Sequence, residues 1–168
     1  MSTKQTSRDY FRSLLIVYYA LIAGQVFFAL VSFYLQKTGM MDAGIKELRD
    51  IFLIIIPLFV VGGFLGSRVM FKTRLNAIKS QDNLISKMTA YRGALIIKYA
   101  LLEGPSFFAI VVFLLTGDYL FLGLSGLIIV YFFLIRPTSE AAVNDLELSI
   151  MEVQFINDPD CEIAEINN

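Results

Sequence analysis

The chain has no histidine and no tryptophan, one cysteine, and few charged residues. Without histidine there is no imidazole to hold zinc, to complete a Ser-His-Asp triad or to relay protons near neutral pH. The single cysteine, Cys161, excludes an intrachain disulfide and leaves a thiolate metal site without a second sulfur. Charged residues are 17% of 168, against about a quarter in an ordinary soluble domain. A formal net charge of −1 argues against nucleic acid as a partner. No Walker A sequence and no dinucleotide fingerprint occurs. What remains predicts no cofactor, no metal site and no enzymatic activity.

What the sequence has in excess is apolar residues, 57% of the chain, gathered in four blocks at 13–35, 51–67, 94–115 and 119–135. A hydrocarbon core of about 30 Å takes roughly 20 helical residues, within a range of about 17–25. In lipid every backbone N–H and C=O must be paired internally, so such blocks must be helices. The expected fold is therefore an all-α membrane protein with four transmembrane helices, arranged as two hairpins that repeat in parallel. Lys4, Arg8 and Arg12 before an apolar run look like a signal peptide. That run continues for 23 residues, too long for a signal-peptide core, and reads as a retained first span.

The expected organisation is an N-terminus at 1–12, a first hairpin at 13–71, a basic connector at 72–90, a second hairpin at 91–136 and an acidic tail at 137–168. Basic residues favour the cytoplasmic side of a cell (inner) membrane. With the N-terminus inside, ten Lys and Arg fall inside and three outside, with Lys98 left within a span. Both termini are thus expected in the cytoplasm. The connector's cations would meet anionic headgroups. Residues 41–48 suggest a short helix at the outer interface, and Thr116-Gly117-Asp118 a tight outer turn. Thr138 or Ser139 is expected to cap a short helix through about Leu148. The composition beyond Asn157 reads as disordered. Tyr34 and Tyr119 fit an outer aromatic belt, and Tyr10, Tyr91 and Tyr131 an inner one.

The first and third blocks align without gaps at an offset of 80 residues. Residues 11–35 and 91–115 agree at 13 of 25 positions, including Arg12 with Arg92, Gly24 with Gly104 and Phe27-Phe28-Ala29 with Phe107-Phe108-Ala109. Unrelated apolar helices would agree at about 15% of positions, so the match implies an internal repeat. Asp50 and Arg68 bracket the second block as Asp118 and Arg136 bracket the fourth.

The two copies differ where one reads Ala23-Gly24-Gln25 and the other Glu103-Gly104-Pro105. Glu103 lies about nine residues into its span, roughly 14 Å deep at 1.5 Å per residue, near the bilayer midplane. A charge there costs about 2.5–3.5 kcal/mol on insertion scales, so the expected species without a partner is the neutral acid. Pro105 has no N–H to give the Leu101 carbonyl and is expected to kink the helix beside Glu103. Gln25 from the sister helix and Tyr99, four residues before Glu103, are the expected polar neighbours. Such a cluster suits an ion- or proton-binding carboxylate, or equally a neutral carboxyl hydrogen-bonded between helices. Lys98 is expected to snorkel to the inner interface. Gly62 and Gly66 have the GxxxG spacing that lets helices approach closely.

The run Ala100-Leu101-Leu102-Glu103-Gly104-Pro105-Ser106-Phe107-Phe108-Ala109-Ile110-Val111-Val112 resembles the ion-carrying helix of the proteolipid (c or K) subunits of rotary ATPases. That resemblance implies Glu103 as carrier of a proton or sodium ion in a ring of hairpins, with Gln25 near the site. The order differs from that family, because here the Glu-bearing span comes first in its hairpin and no repeated glycine run precedes it. The chain also looks like small uncharacterised bacterial four-helix membrane proteins, which implies no activity. The expectation is a lipid-embedded subunit that binds an ion, or a structural or assembly subunit that binds a second copy or another membrane protein.

Overall fold

The computed structural model describes residues 2–40 and 49–167, so the helix expected at 41–48 lies outside the described residues. The elements run β1 (Ser2–Thr6), α1 (Ser7–Lys37), α2 (Arg49–Lys79), α3 (Leu84–Thr116), α4 (Tyr119–Leu134), α5 (Ser139–Leu146), α6 (Ile150–Asn157) and β2 (Glu162–Asn167). Helices dominate. α1, α2 and α3 are long and apolar enough to cross a membrane. α4 is 16 residues long and meets α5 at a bend of 83°.

Side-chain caps set the helix starts, because the first N–H groups of a helix have no partner inside it. Thr6 accepts the Asp9 N–H at 3.3 Å before α1, and Asn83 accepts the Ile85 N–H at 2.9 Å before α3. Asp118 caps α4 through the Leu120 N–H, and Thr138 caps α5 through the Ala141 N–H. Ser149 and Glu152 close a capping box on α6. The turn between α3 and α4 needs Gly117 at φ 70°, where a side chain would be strained. Most of the basic connector is helical, since α2 continues to Lys79 and α3 already begins at Leu84.

Contacts divide the chain into two compact units. The first joins residues 1–18, 68–98 and 136–168. Its core holds Tyr10, Leu14, Met88, Tyr91, Leu146 and Ile163. β1 and β2 pair antiparallel, from Ser2 opposite Asn167 to Thr6 opposite Glu162, with an irregularity between Gln5 and Thr6. The tail expected to be disordered beyond Asn157 is therefore ordered as a strand, because the N-terminal residues supply its hydrogen-bonding edge. Composition could not show this, since the partner lies at the other end of the chain.

The second unit joins residues 19–67 and 99–135. Ile56, Ala109, Val112, Phe113 and Phe121 form its buried centre, with Phe52, Leu53, Val60 and Phe108 packed around them. Edge-to-face rings extend this packing, as in Phe59 with Phe108 and Phe64 with Tyr131.

Candidate functional site in the third apolar helix

α3 continues through Glu103 and Pro105 as one helix. Glu103 is half-buried, and no hydrogen bond or ion pair reaches its carboxyl among the described residues. The Leu101 carbonyl, deprived of its helical partner by Pro105, is covered from α2. A Cβ built on Gly63 would lie 2.7 Å from that carbonyl oxygen and 2.6 Å from Pro105 Cγ. The hydrogen that Gly63 carries in that direction therefore faces the carbonyl, in the manner of a weak Cα–H···O contact. Gly62 and Gly66, the pair chosen by spacing, have nothing within 4 Å of such a Cβ. The close approach belongs to Gly63, which the GxxxG template skips.

The expected polar cluster is not assembled within the described residues. Gln25 is fully buried, but its Nε2 donates to the Leu21 carbonyl of its own helix at 3.3 Å, and its Oε1 has no partner. Tyr99 is buried and gives its hydroxyl proton to the Ile135 carbonyl at 3.2 Å, so it is not a donor to Glu103. α1 and α3 meet instead through rings: Phe28 and Phe107 pack at a tilt of 46° with their centres 5.7 Å apart. Polar links between helices of this unit are made elsewhere. Ser106 and Ser125 share a buried 2.9 Å hydrogen bond, and Gln36 donates to the Leu114 carbonyl. Arg49 Nε reaches Asp118 at 2.5 Å.

Beside Pro105 a recess of about 260 Å³, lined by Val60, Phe64, Leu102, Leu127 and Tyr131 among others, is almost wholly apolar. No three of His, Cys, Asp or Glu come together to hold a metal among the described residues.

The first unit holds a denser set of polar contacts, which sequence reasoning missed. Arg92 lies over the Tyr10 ring at 4.5 Å from its centre and donates to Gln5 and Ser13. Tyr10 and Tyr91 are not membrane-interface anchors. Both are buried, Tyr10 donating to the Met88 carbonyl at 2.7 Å and Tyr91 to Asp145 at 2.8 Å. Tyr34 and Tyr119 are exposed, as an outer belt requires. The Lys98 ammonium sits 4.3 Å from the centre of the Phe71 ring, a cation–π contact in place of simple snorkelling.

The acidic tail is largely spent inside the molecule. Glu152 pairs with Lys87 at 2.8 Å, with side chains only 18% and 13% exposed. Glu147 pairs with Lys79 at 2.7 Å and Glu162 with Lys4 at 2.8 Å. Burial pushes the Glu152 carboxyl up, but hydrogen bonds from Lys87 and Ser149 and the Lys87 charge outweigh it and hold it below the usual glutamate value. The hydrogen bond and charge of Glu162 raise the Lys4 ammonium.

No family model matches the chain, and neither curated proteins nor solved structures include one detectably similar to it.

Proposed function

We propose that the chain is a four-span integral protein of the cell (inner) membrane that takes up and releases a proton or cation at Glu103. Three apolar helices support membrane insertion directly. The fourth span is supported by parity. β1 and β2 pair, so the two ends of the chain share one side. A chain with its ends on one side crosses the bilayer an even number of times, which supports α4 as a crossing helix. At 16 residues it is about 24 Å long, and the shortfall is of the size that local thinning and a flanking Arg136 accommodate.

One observation favours an exchangeable carboxyl over a structural one. A Glu that glues helices must hydrogen-bond across them, and Glu103 makes no such bond among the described residues. The Ser106–Ser125 pair and Gln36 serve that purpose in the same unit. A carboxyl kept at mid-span without a structural bond fits a group whose partner comes and goes.

Glu103→Gln tests this. The amide keeps shape and hydrogen-bonding capacity but cannot ionise. In proteoliposomes the variant is expected to fold with an unchanged melting temperature and to lose proton or sodium movement. A carbodiimide should modify Glu103 selectively, and sodium or raised pH should protect it. Full transport by the Gln variant, with no protection from the carbodiimide, would reject the carrier reading.

The second reading is a structural or assembly subunit without transport of its own. Its support is the open backbone at Gly62, Gly66 and Gly104, where another helix could approach closely.

A further inference from the structure

Where α1 begins and α5 follows Arg136-Pro137, the first unit contains a recess of about 400 Å³ with two arginines and no carboxylate in its lining. Arg8 and Arg136 supply its charge, Thr138 and Ser139 its polar rim, and Phe11 and Leu15 an apolar wall. The carboxylate beside Arg8 is Asp160, 3.8 Å away, and both side chains are largely exposed. That is a loose pair, easily exchanged for a better anion. Thr138 already caps α5 through the Ala141 N–H. The other leading N–H groups of that helix have no partner within it and add a favourable dipole for an anion. Glu140 stands in the same turn but is not part of the lining.

Position in the sequence identifies the anion. Arg136 directly follows the apolar run ending at Ile135, and Arg8 precedes the one starting at Ser13. On the bilayer-embedded reading Arg136 therefore belongs at the edge of hydrocarbon, where lipid phosphates lie, and the recess brings Arg8 in beside it. Guanidinium suits phosphate oxygens through paired N–H donors. Phe11 and Leu15 extend the same recess with apolar surface, which a free phosphate would not use but the first methylenes of an acyl chain would. We infer that this recess binds the headgroup phosphate of an anionic phospholipid, held between Arg8 and Arg136, with the chain start against Phe11 and Leu15. This rests on the reading that the chain is bilayer-embedded, whose own failure would appear separately as extraction of the protein by alkaline carbonate.

The test uses the full chain, delipidated in detergent and titrated with phosphatidylglycerol, phosphatidylcholine or inorganic phosphate, with retained ligand counted by native mass spectrometry. Wild type is expected to retain phosphatidylglycerol over phosphatidylcholine by roughly thirtyfold, the scale set by two interfacial arginines. Arg8→Gln with Arg136→Gln should abolish the preference, Arg8→Lys with Arg136→Lys should keep part of it, and Lys72→Gln with Arg74→Gln should leave it intact. In wild type, which bypasses any folding defect, a photoactivatable phosphatidylglycerol should crosslink to peptides containing residues 8–15 and 136–139. Equal retention of both lipids, or crosslinks confined elsewhere, would overturn the site. Displacement of the lipid by millimolar inorganic phosphate would reject the lipid and leave the recess to a free anion.

Discussion

At the scale of single residues, the instructive case is a glycine. Pro105 has no N–H to donate to the Leu101 carbonyl, and the sequence shows that loss plainly. It does not show what fills the gap, because the neighbour comes from α2, some forty positions away. Gly63 fills it, and a methyl there would lie 2.6 Å from Pro105 Cγ and 2.7 Å from the Leu101 oxygen. Backbone and a proline ring cannot swing aside as a flexible side chain can. Gly63→Ala is therefore expected to destabilise the folded protein by about 1–3 kcal/mol, the usual cost of overpacking. Gly62→Ala and Gly66→Ala meet open space and should be neutral in an isolated chain. Thermal unfolding in detergent checks the contrast, and equal effects at all three would refute the packing described. Glu103 was legible as the one acid deep in a span, since a rare charge in an apolar run needs no structural context to be noticed. Its surroundings were not legible, because Gln25 and Tyr99 each bond to a backbone carbonyl that any helix offers, and no residue pattern records which one is chosen.

At the scale of elements, caps and turns were readable because their signals are local. Thr138 or Ser139 was expected to cap a short helix through about Leu148, and Thr138 caps α5, which runs from Ser139 to Leu146. Thr116-Gly117-Asp118 was expected as a turn, and Asp118 does two jobs there. One oxygen accepts the Leu120 N–H at 3.0 Å, and the other meets Arg49. The Leu120 hydrogen bond, joined by the hydrogen bond and charge of Arg49, holds the Asp118 carboxyl below its usual value of 3.8 against the opposing push of burial. A carboxyl lowered by folding stabilises the folded state above its unfolded value and loses that contribution as pH falls through the folded one. Asp118→Ala should cost about 1 kcal/mol at neutral pH, the typical loss of an N-cap. Asp118→Asn keeps the cap and gives up the exposed ion pair, about 0.5 kcal/mol. The stability gap between wild type and Asp118→Asn should close as pH drops below 3.8. A gap that persists or widens in acid would refute the assignment. The tail strand was the element least legible, since its register is set by residues at the opposite end of the chain.

At the scale of the whole molecule, the count of crossings turns on the pairing of the termini. Hydropathy alone leaves three spans or four, because α4 is short and bends sharply into α5. The first unit gathers residues 1–18, 68–98 and 136–168, the three segments that even crossing puts on one side. The same segments hold most of the basic residues, so on the proposed reading that side is the cytoplasmic one. Three spans would require Glu140 to lie opposite Ser80, which the shared unit and the β1–β2 pair oppose. Single cysteines at Thr38, Ser80, Tyr119 and Glu140, in a Cys161→Ser background, separate the possibilities, since all four positions are exposed. An impermeant maleimide added to intact cells should label Thr38→Cys and Tyr119→Cys. Ser80→Cys and Glu140→Cys should react only after the membrane is opened. Reversal of both pairs would keep four spans and overturn the orientation. Labelling of Glu140→Cys from outside, with Ser80→Cys protected, would mean that α4 does not cross. The terminal strands could not then meet in the membrane-inserted chain.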